Sequence, residues 1–250
     1  MPTLAELNSA ASEVITILKG ISEYSNARVA VIGGLALWNY LQNGRTTEDV
    51  DLIISIDTAP GSVKQRLLSL PNTRFVTQAQ YFYYQNPFGK HIQIDITPGW
   101  QSPYIPSEAQ ALSQIPAGHV PFISQIDLLI FKMNSCGLRA QIAKKRIDAR
   151  DAQNLLQNMT TPLRLTAAQL AIVELCLSDV VSQGTKTQEW WKQRLGLVAQ
   201  NPTLAADEYW TWSPKYCNYY HLNSDGSYEW AEQAGSLSGQ QSSSSRSRDH

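Results

Sequence analysis

Residues 27–32 form a short valine-rich run that stops at Gly33-Gly34. From residue 49 the chain alternates, with Asp49, Asp51, Ile53 and Ser55 on one side and Val50, Leu52, Ile54 and Ile56 on the other. No other feature limits the fold as tightly. A period of two is strand periodicity, and a one-residue slip would turn the two carboxylates toward the interior, so the pattern itself specifies the register. Between the two strands, residues 35–42 are predicted as a helix, ended by Asn43-Gly44 in the manner of a left-handed cap. The chain therefore runs strand, glycine turn, helix, strand, and the second strand holds two acids on one face.

The rest of the chain extends this frame. Residues 3–24 place Leu4, Leu7, Ala11, Val14, Ile15, Leu18 and Ile21 at helical spacing, with Thr3 and Glu6 set for a capping box. A short helix is predicted over 62–70, closed by Pro71, then two strands within 73–85 that turn around 78–80. Residues 91–97 alternate again, Ile92, Ile94 and Ile96 against Gln93, Asp95 and Thr97. This order predicts an α+β fold, a mixed sheet with flanking helices, followed by a mostly helical C-terminal region.

Residues 98–120, with four prolines and two glycines, read as an irregular boundary. Helical spacing follows over 124–133, 138–157, 166–182 and 187–199. On one continuous helix Lys132, Arg139 and Arg146, seven apart, would share a face. Residues 204–230 are dense in Trp and Tyr and take no assignment. The Ser-rich end has little to bury and is expected to be a disordered tail. The predicted organisation is a catalytic domain over 1–120, a helical domain over 121–235 and a tail over 236–250.

The 250 residues carry a formal charge of -1, so the chain lacks the overall basic excess of proteins that bind nucleic acid by phosphate neutralisation. A nucleic-acid partner would have to meet a local patch. Cys136, Cys176 and Cys217 are far apart and odd in number, and are expected as reduced thiols. No run approaches the roughly 18 apolar residues of a membrane span and no basic leader opens the chain, which places the protein in the cytoplasm or nucleus.

Two carboxylates two residues apart on a strand lie about 6–7 Å apart along the chain, close enough to hold hard cations of the Mg²⁺ type. Asp95, in a strand that can lie beside theirs, is a third acid. Three converging carboxylates suit metal-assisted phosphoryl or nucleotidyl transfer. Gly33-Gly34, where a strand turns into a helix, points backbone N–H groups at the place a phosphate favours. It is neither a dinucleotide fingerprint nor a P-loop, since G-x-G-x-x-G and G-K-[ST] are both absent.

The Gly-Gly turn, the following helix, "RTTEDVD" over 45–51 and the later Asp95 resemble the DNA polymerase beta-type nucleotidyltransferase superfamily. The form "GGLAL…GRTTEDVDL" is most similar to its minimal, AbiEii toxin-like members, which carry an R-x-T-x-D-x-D version. The resemblance implies metal-ligand roles for Asp49 and Asp51, the third acid for Asp95, and the triphosphate turn for Gly33 and Gly34. Arg45 and Thr47 match positions beside the site. Lys132, Arg139 and "KKRIDARDAQNL" loosely match the family's helical motif. Lys132 is thereby implied as a phosphate-contacting cation, Arg139 as nucleotide-binding, and Asp148 as part of the nucleotide or acceptor site. Mg²⁺ or Mn²⁺ as cofactor and an NTP as substrate follow from the same resemblance. The acceptor stays open among RNA such as tRNA, a small molecule and a protein.

Plainer readings stand beside each of these. Asp49 and Asp51 could mark an exposed strand end, and Asp95 a strand terminus before Pro98-Gly99. Lys132 could be a solvated helix lysine, and Asp148 an i, i+4 partner of Lys144. Lys144-Lys145-Arg146 could meet RNA or simply face solvent. Trp190, Trp191, Trp210 and Trp212 read as core rather than as base-stacking platforms. Two other functions compete: a D-x-D glycosyltransferase, against which the Gly-Gly turn and third acid argue, and a non-catalytic nucleotide-binding module of the same fold.

Overall fold

The computed structural model describes residues 1–41, 45–56 and 60–197, and beyond them 211–213, 215, 218–222 and 227–230. The first helix, α1 (Leu4–Lys19), starts where its capping box sets it: Thr3 Oγ1 accepts from the Glu6 amide at 3.2 Å, and the Thr3 amide donates to Glu6 Oε2 at 2.6 Å. Its Leu7, Ala10, Ala11, Val14, Ile15 and Leu18 are buried, while Ser22–Tyr24 form a separate 3-10 turn instead of continuing the helix.

Strand β1 (Arg28–Ile32) runs into helix α2 (Gly33–Tyr40), then come β2 (Asp49–Ile54), α3 (Pro60–Leu68), β3 (Phe75–Gln78), β4 (Tyr81–Gln85) and β5 (His91–Pro98). The glycines expected to precede the helix form its first turn, and the Asn43-Gly44 cap lies outside the described residues. A two-residue strand, β6 (Gln110–Ala111), closes a six-stranded mixed sheet of order β3-β4-β5-β2-β1-β6. The sequence marked that region as irregular, and it is held by one side chain. The Arg28 guanidinium donates to the carbonyls of Pro106, Ser107 and Ala109 at 2.9–3.0 Å, which lays Gln110 and Ala111 beside β1.

The two central strands are the ones that carry the acids. β2 and β5 pair in parallel, with Asp51 opposite Asp95 and Asp49 opposite Gln93, while every other pair in the sheet is antiparallel. On the other face Val50, Leu52, Ile92, Ile94 and Ile96 are buried. Parity thus sends the aliphatic half of both strands into the core and leaves the polar half half-buried on one side.

The helical region comprises α4 (Gln125–Leu138), α5 (Ile142–Gln157), α6 (Ala167–Gln183) and α7 (Gln188–Leu195). Ser124, Thr166 and Thr187 accept from backbone amides at the starts of α4, α6 and α7, so three of the four boundaries are set by a hydroxyl cap. One expectation is corrected here. Arg139 is extended and α5 begins only at Ile142, so no continuous helix carries Lys132, Arg139 and Arg146 on one face, and Arg146 is exposed. Gly137 does not break α4. It sits within the helix because a Cβ there would meet Asp179 Oδ2 of α6 at 2.6 Å.

Trp191 is fully buried in the core, and the half-buried Trp190 packs edge-on against it with ring centroids 5.2 Å apart. Cys136 and Cys176 are buried free thiols, each pushed up by burial, to about 11 and about 12. Cys217, Trp210, the side chain of Trp212 and the tail over 236–250 lie outside the described residues. Residues Met1–Leu197 form one compact unit and Val198–His250 another. Within the second, β7 (Thr211–Ser213), β8 (Asn218–Leu222) and β9 (Tyr228–Trp230) make an antiparallel sheet in which Tyr220 packs against its cross-strand partner Trp230 at 5.6 Å. Among the described residues no helix is long and apolar enough to cross a membrane.

Candidate metal centre

Asp51 and Asp95 are lateral neighbours on parallel strands, and Asp49 stands two residues before Asp51 on the same face. One carboxylate oxygen from each comes within 4.8 Å of the others, and all three residues are half-buried. Among the described residues none of the three forms an ion pair. Their hydrogen-bond donors are uncharged. Thr47 Oγ1 donates to Asp49 Oδ1 at 2.6 Å, Gln93 Nε2 to Asp95 Oδ2 at 2.9 Å, and the Gly34 amide to Asp51 Oδ2 at 3.4 Å.

Crowding shows in the electrostatics. The Asp51 carboxyl is raised to about 7, first by burial and then by the negative charges of Asp49 and Asp95; the positive charge of Lys132 and the Gly34 N–H oppose the rise. A cation placed among the three would remove that cost. Three hard oxygen donors at this spacing fit a divalent ion of the Mg²⁺ or Mn²⁺ type, and the absence of nitrogen and sulfur donors disfavours the softer metals.

The glycines make room for the acids. Gly33 has φ +68°, and a Cβ there would lie 1.8 Å from Asp51 Oδ2. At Gly34 a Cβ would lie 2.3 Å from Thr47 Oγ1. Both positions thus put the first turn of α2 directly against Asp51 and the Thr47–Asp49 hydrogen bond. A side chain at either would displace the groups that form the site.

A second cluster lies on the helical side. Lys132 is 6 % exposed on α4, and its Nζ pairs with Asp148 Oδ1 at 3.1 Å and Asp151 Oδ2 at 3.0 Å. Arg139 Nε pairs with Asp148 Oδ2 at 3.1 Å, and Arg45 Nε with Asp151 Oδ2 at 3.1 Å. Lys132 is therefore no solvated helix lysine. Asp148 takes its cations from α4 and the segment after it, not from Lys144. The structure brings together Asp49, Asp51, Asp95, Gly33, Gly34 and Thr47, and gathers Arg45, Lys132, Arg139 and Asp148 into a network whose Lys132 acts electrostatically on Asp51.

Two participants carried no role in the sequence reading. Gln93 shares a strand face with Asp95, so the alternation already placed it there. Asp151 lies three residues after Asp148, the spacing of one helix face. Two surface cavities of about 460 and 340 Å³ share Glu13 of α1 in their walls, and none of the three aspartates lines either.

Neither a protein-family model nor a curated protein sequence matches the chain. Among solved structures it is similar to an antigenic nucleotidyltransferase-like protein from Paracoccidioides brasiliensis, 21% identical, over 74% of this chain and 96% of that one, with a TM-score of 0.45. It is also similar to the antibiotic-resistance factor ANT(2'')-Ia, 14% identical, over 59% of this chain and 90% of that one, with a TM-score of 0.32.

Proposed function

We propose that the chain is a divalent-metal-dependent nucleotidyltransferase that moves a nucleoside monophosphate from an NTP to an acceptor and releases pyrophosphate. The observation that carries the reading is three half-buried carboxylates, with oxygens within 4.8 Å of one another and no cationic partner among the described residues. The motif "GG…RTTEDVD" that led to them adds the direction of the chemistry, since a glycine turn opening a helix suits a triphosphate.

In this reading Asp49, Asp51 and Asp95 hold Mg²⁺ or Mn²⁺. The bound ion supplies charge neutralisation for the triphosphate and the leaving pyrophosphate. The Gly33 and Gly34 amides receive phosphate oxygens at the start of α2, and α4 and α5 complete the nucleotide side through Lys132, Arg139 and Asp148. The acceptor oxygen forms a bond to the α-phosphorus as the bond from that phosphorus to the β-bridging oxygen breaks. Pyrophosphate leaves with the electron pair, and Asp95 takes the acceptor's proton.

The test is incubation of the purified chain with Mg²⁺ and each α-labelled NTP, in the presence of total cell RNA or of lysate small molecules and proteins. Label is expected to pass to one acceptor class, with pyrophosphate released, and to be lost in an Asp49→Ala protein whose melting temperature is unchanged. An Asp49→Ala protein with full activity would overturn the reading.

A further inference from the structure

One carboxylate oxygen does two jobs in the helical cluster. Asp151 Oδ2 accepts from Arg45 Nε at 3.1 Å and pairs with Lys132 Nζ at 3.0 Å, and Asp151 itself is 4 % exposed. Arg45 is 106 residues away in sequence, at the start of the segment that leads through Thr47 to Asp49. That segment has no helix or strand of its own. Its shape rests on side chains. Trp38 Nε1 donates to the Arg45 carbonyl at 2.7 Å, Arg45 Nη1 to the Thr46 carbonyl at 3.3 Å, and Thr47 Oγ1 to Asp49 at 2.6 Å.

We propose that Asp151 is a positioning residue of the three-carboxylate site: through one oxygen it holds Arg45 and Lys132 together, and through Arg45 it fixes the segment that aims Thr47 at Asp49. The inference rests on the metal reading above. Arg45 then serves as a tie from the acid-bearing strand to α5, with its guanidinium engaged by Asp151 and the Thr46 carbonyl. Asp151 touches neither the metal nor the nucleotide. Its effect is on how well Asp49 is placed before the ion arrives, the way hydrogen-bonded partners behind metal ligands usually act.

Two variants separate this from simple electrostatics. Arg45→Ala removes a positive charge four residues before Asp49, so charge alone would leave Mg²⁺ binding unchanged or make it tighter. Loss of the tie predicts the opposite. Mg²⁺ titrated calorimetrically into the full chain, without nucleotide, is expected to bind about tenfold more weakly to Arg45→Ala and to Asp151→Asn than to the wild type. The double variant should be no weaker than either single one, because both remove the same tie. Arg45→Lys, which keeps a cation within reach of Asp151, should recover most of the affinity.

Arg45→Ala binding as tightly as wild type or more tightly, or an additive double variant, overturns the proposal. Where Asp151→Asn does not fold, the Arg45→Ala and Arg45→Lys pair decides, since the Arg45 side chain is 39% exposed. A wild-type chain that binds no Mg²⁺ removes the metal reading and this inference with it. Coupled Mg²⁺ binding in a chain that turns over no NTP leaves Asp151 in its role and overturns only the proposed reaction.

Discussion

The two acidic clusters solve opposite problems. Asp148 and Asp151 are almost fully buried, and among the described residues their side-chain polar partners are the cations of Lys132, Arg139 and Arg45. Asp49, Asp51 and Asp95 are half-buried and, among the described residues, accept only from a hydroxyl, an amide side chain and a backbone N–H. Burying a charge without a partner is costly, so the first cluster is complete as it stands. The second stores mutual repulsion that a bound cation relieves. The same residue type closes its own charge network in one place and, in the proposed reading, awaits a cation in the other, and the difference is who supplies the positive charge.

The largest effect is expected where the open cluster is disturbed without changing any charge. Gly33→Ala brings a Cβ to 1.8 Å from Asp51 Oδ2 at a φ of +68°, so Asp51 must move. Mg²⁺ affinity and NTP turnover should each fall on the order of a hundredfold, measured by calorimetry and by pyrophosphate release, beside a loss of roughly 1 kcal/mol or more of stability from alanine at positive φ. The closed cluster should fail in the other way. Lys132→Met leaves two buried carboxylates with only their arginine partners and is expected to cost about 3–5 kcal/mol of stability, read by denaturant titration.

Smaller effects sharpen the contrast. The folded-state value of Asp51 lies above that of the unfolded chain, so the folded protein holds a proton that the unfolded chain has released. Metal-free stability should therefore fall as pH rises from about 4 through about 7, and Mg²⁺ should stabilise more at pH 8 than at pH 5. An Asp51→Asn protein should lose that slope, and a metal-free melting curve independent of Asp51 would break the account of crowding. The Glu23–Arg66 pair, about half-exposed at 3.2 Å, sets the lower limit: Arg66→Ala should move the melting temperature by no more than about 2–3 °C.

Much of the open cluster was legible in the sequence because strand parity is strict. Alternation put Asp49 and Asp51 on one face and Gln93 and Asp95 on another, and the structure lays the two faces side by side. The capping box at Thr3 was visible because it is a local rule with a local cause, whereas α2 begins two residues before the expected Leu35, at the glycines themselves. The closed cluster was less legible. Arg45 and Asp151 meet across 106 residues, and no period announces such a pair. Helix spacing even misled, since it runs smoothly through Arg139, where the chain is extended and the side chain reaches Asp148. Gly137 lies inside α4, where the lack of a side chain lets α6 approach closely at Asp179. The strand at Gln110–Ala111 depends on three carbonyls gripped by Arg28, a contact with no pattern around it.

The parallel pairing of β2 with β5 also says when the site comes into being. A parallel neighbour cannot be reached by a tight turn, and here α3, β3 and β4 all intervene before Asp95 arrives beside Asp51. Contacts at such separation form late, after the local hairpin and helices. During folding, a chain that has already built β1, α2 and β2 still has only two of its three acids together. If the three acids hold a cation as proposed, its binding would report the meeting of the two central strands, and in a stopped-flow refolding experiment the Mg²⁺ response should appear with the last step rather than with the first.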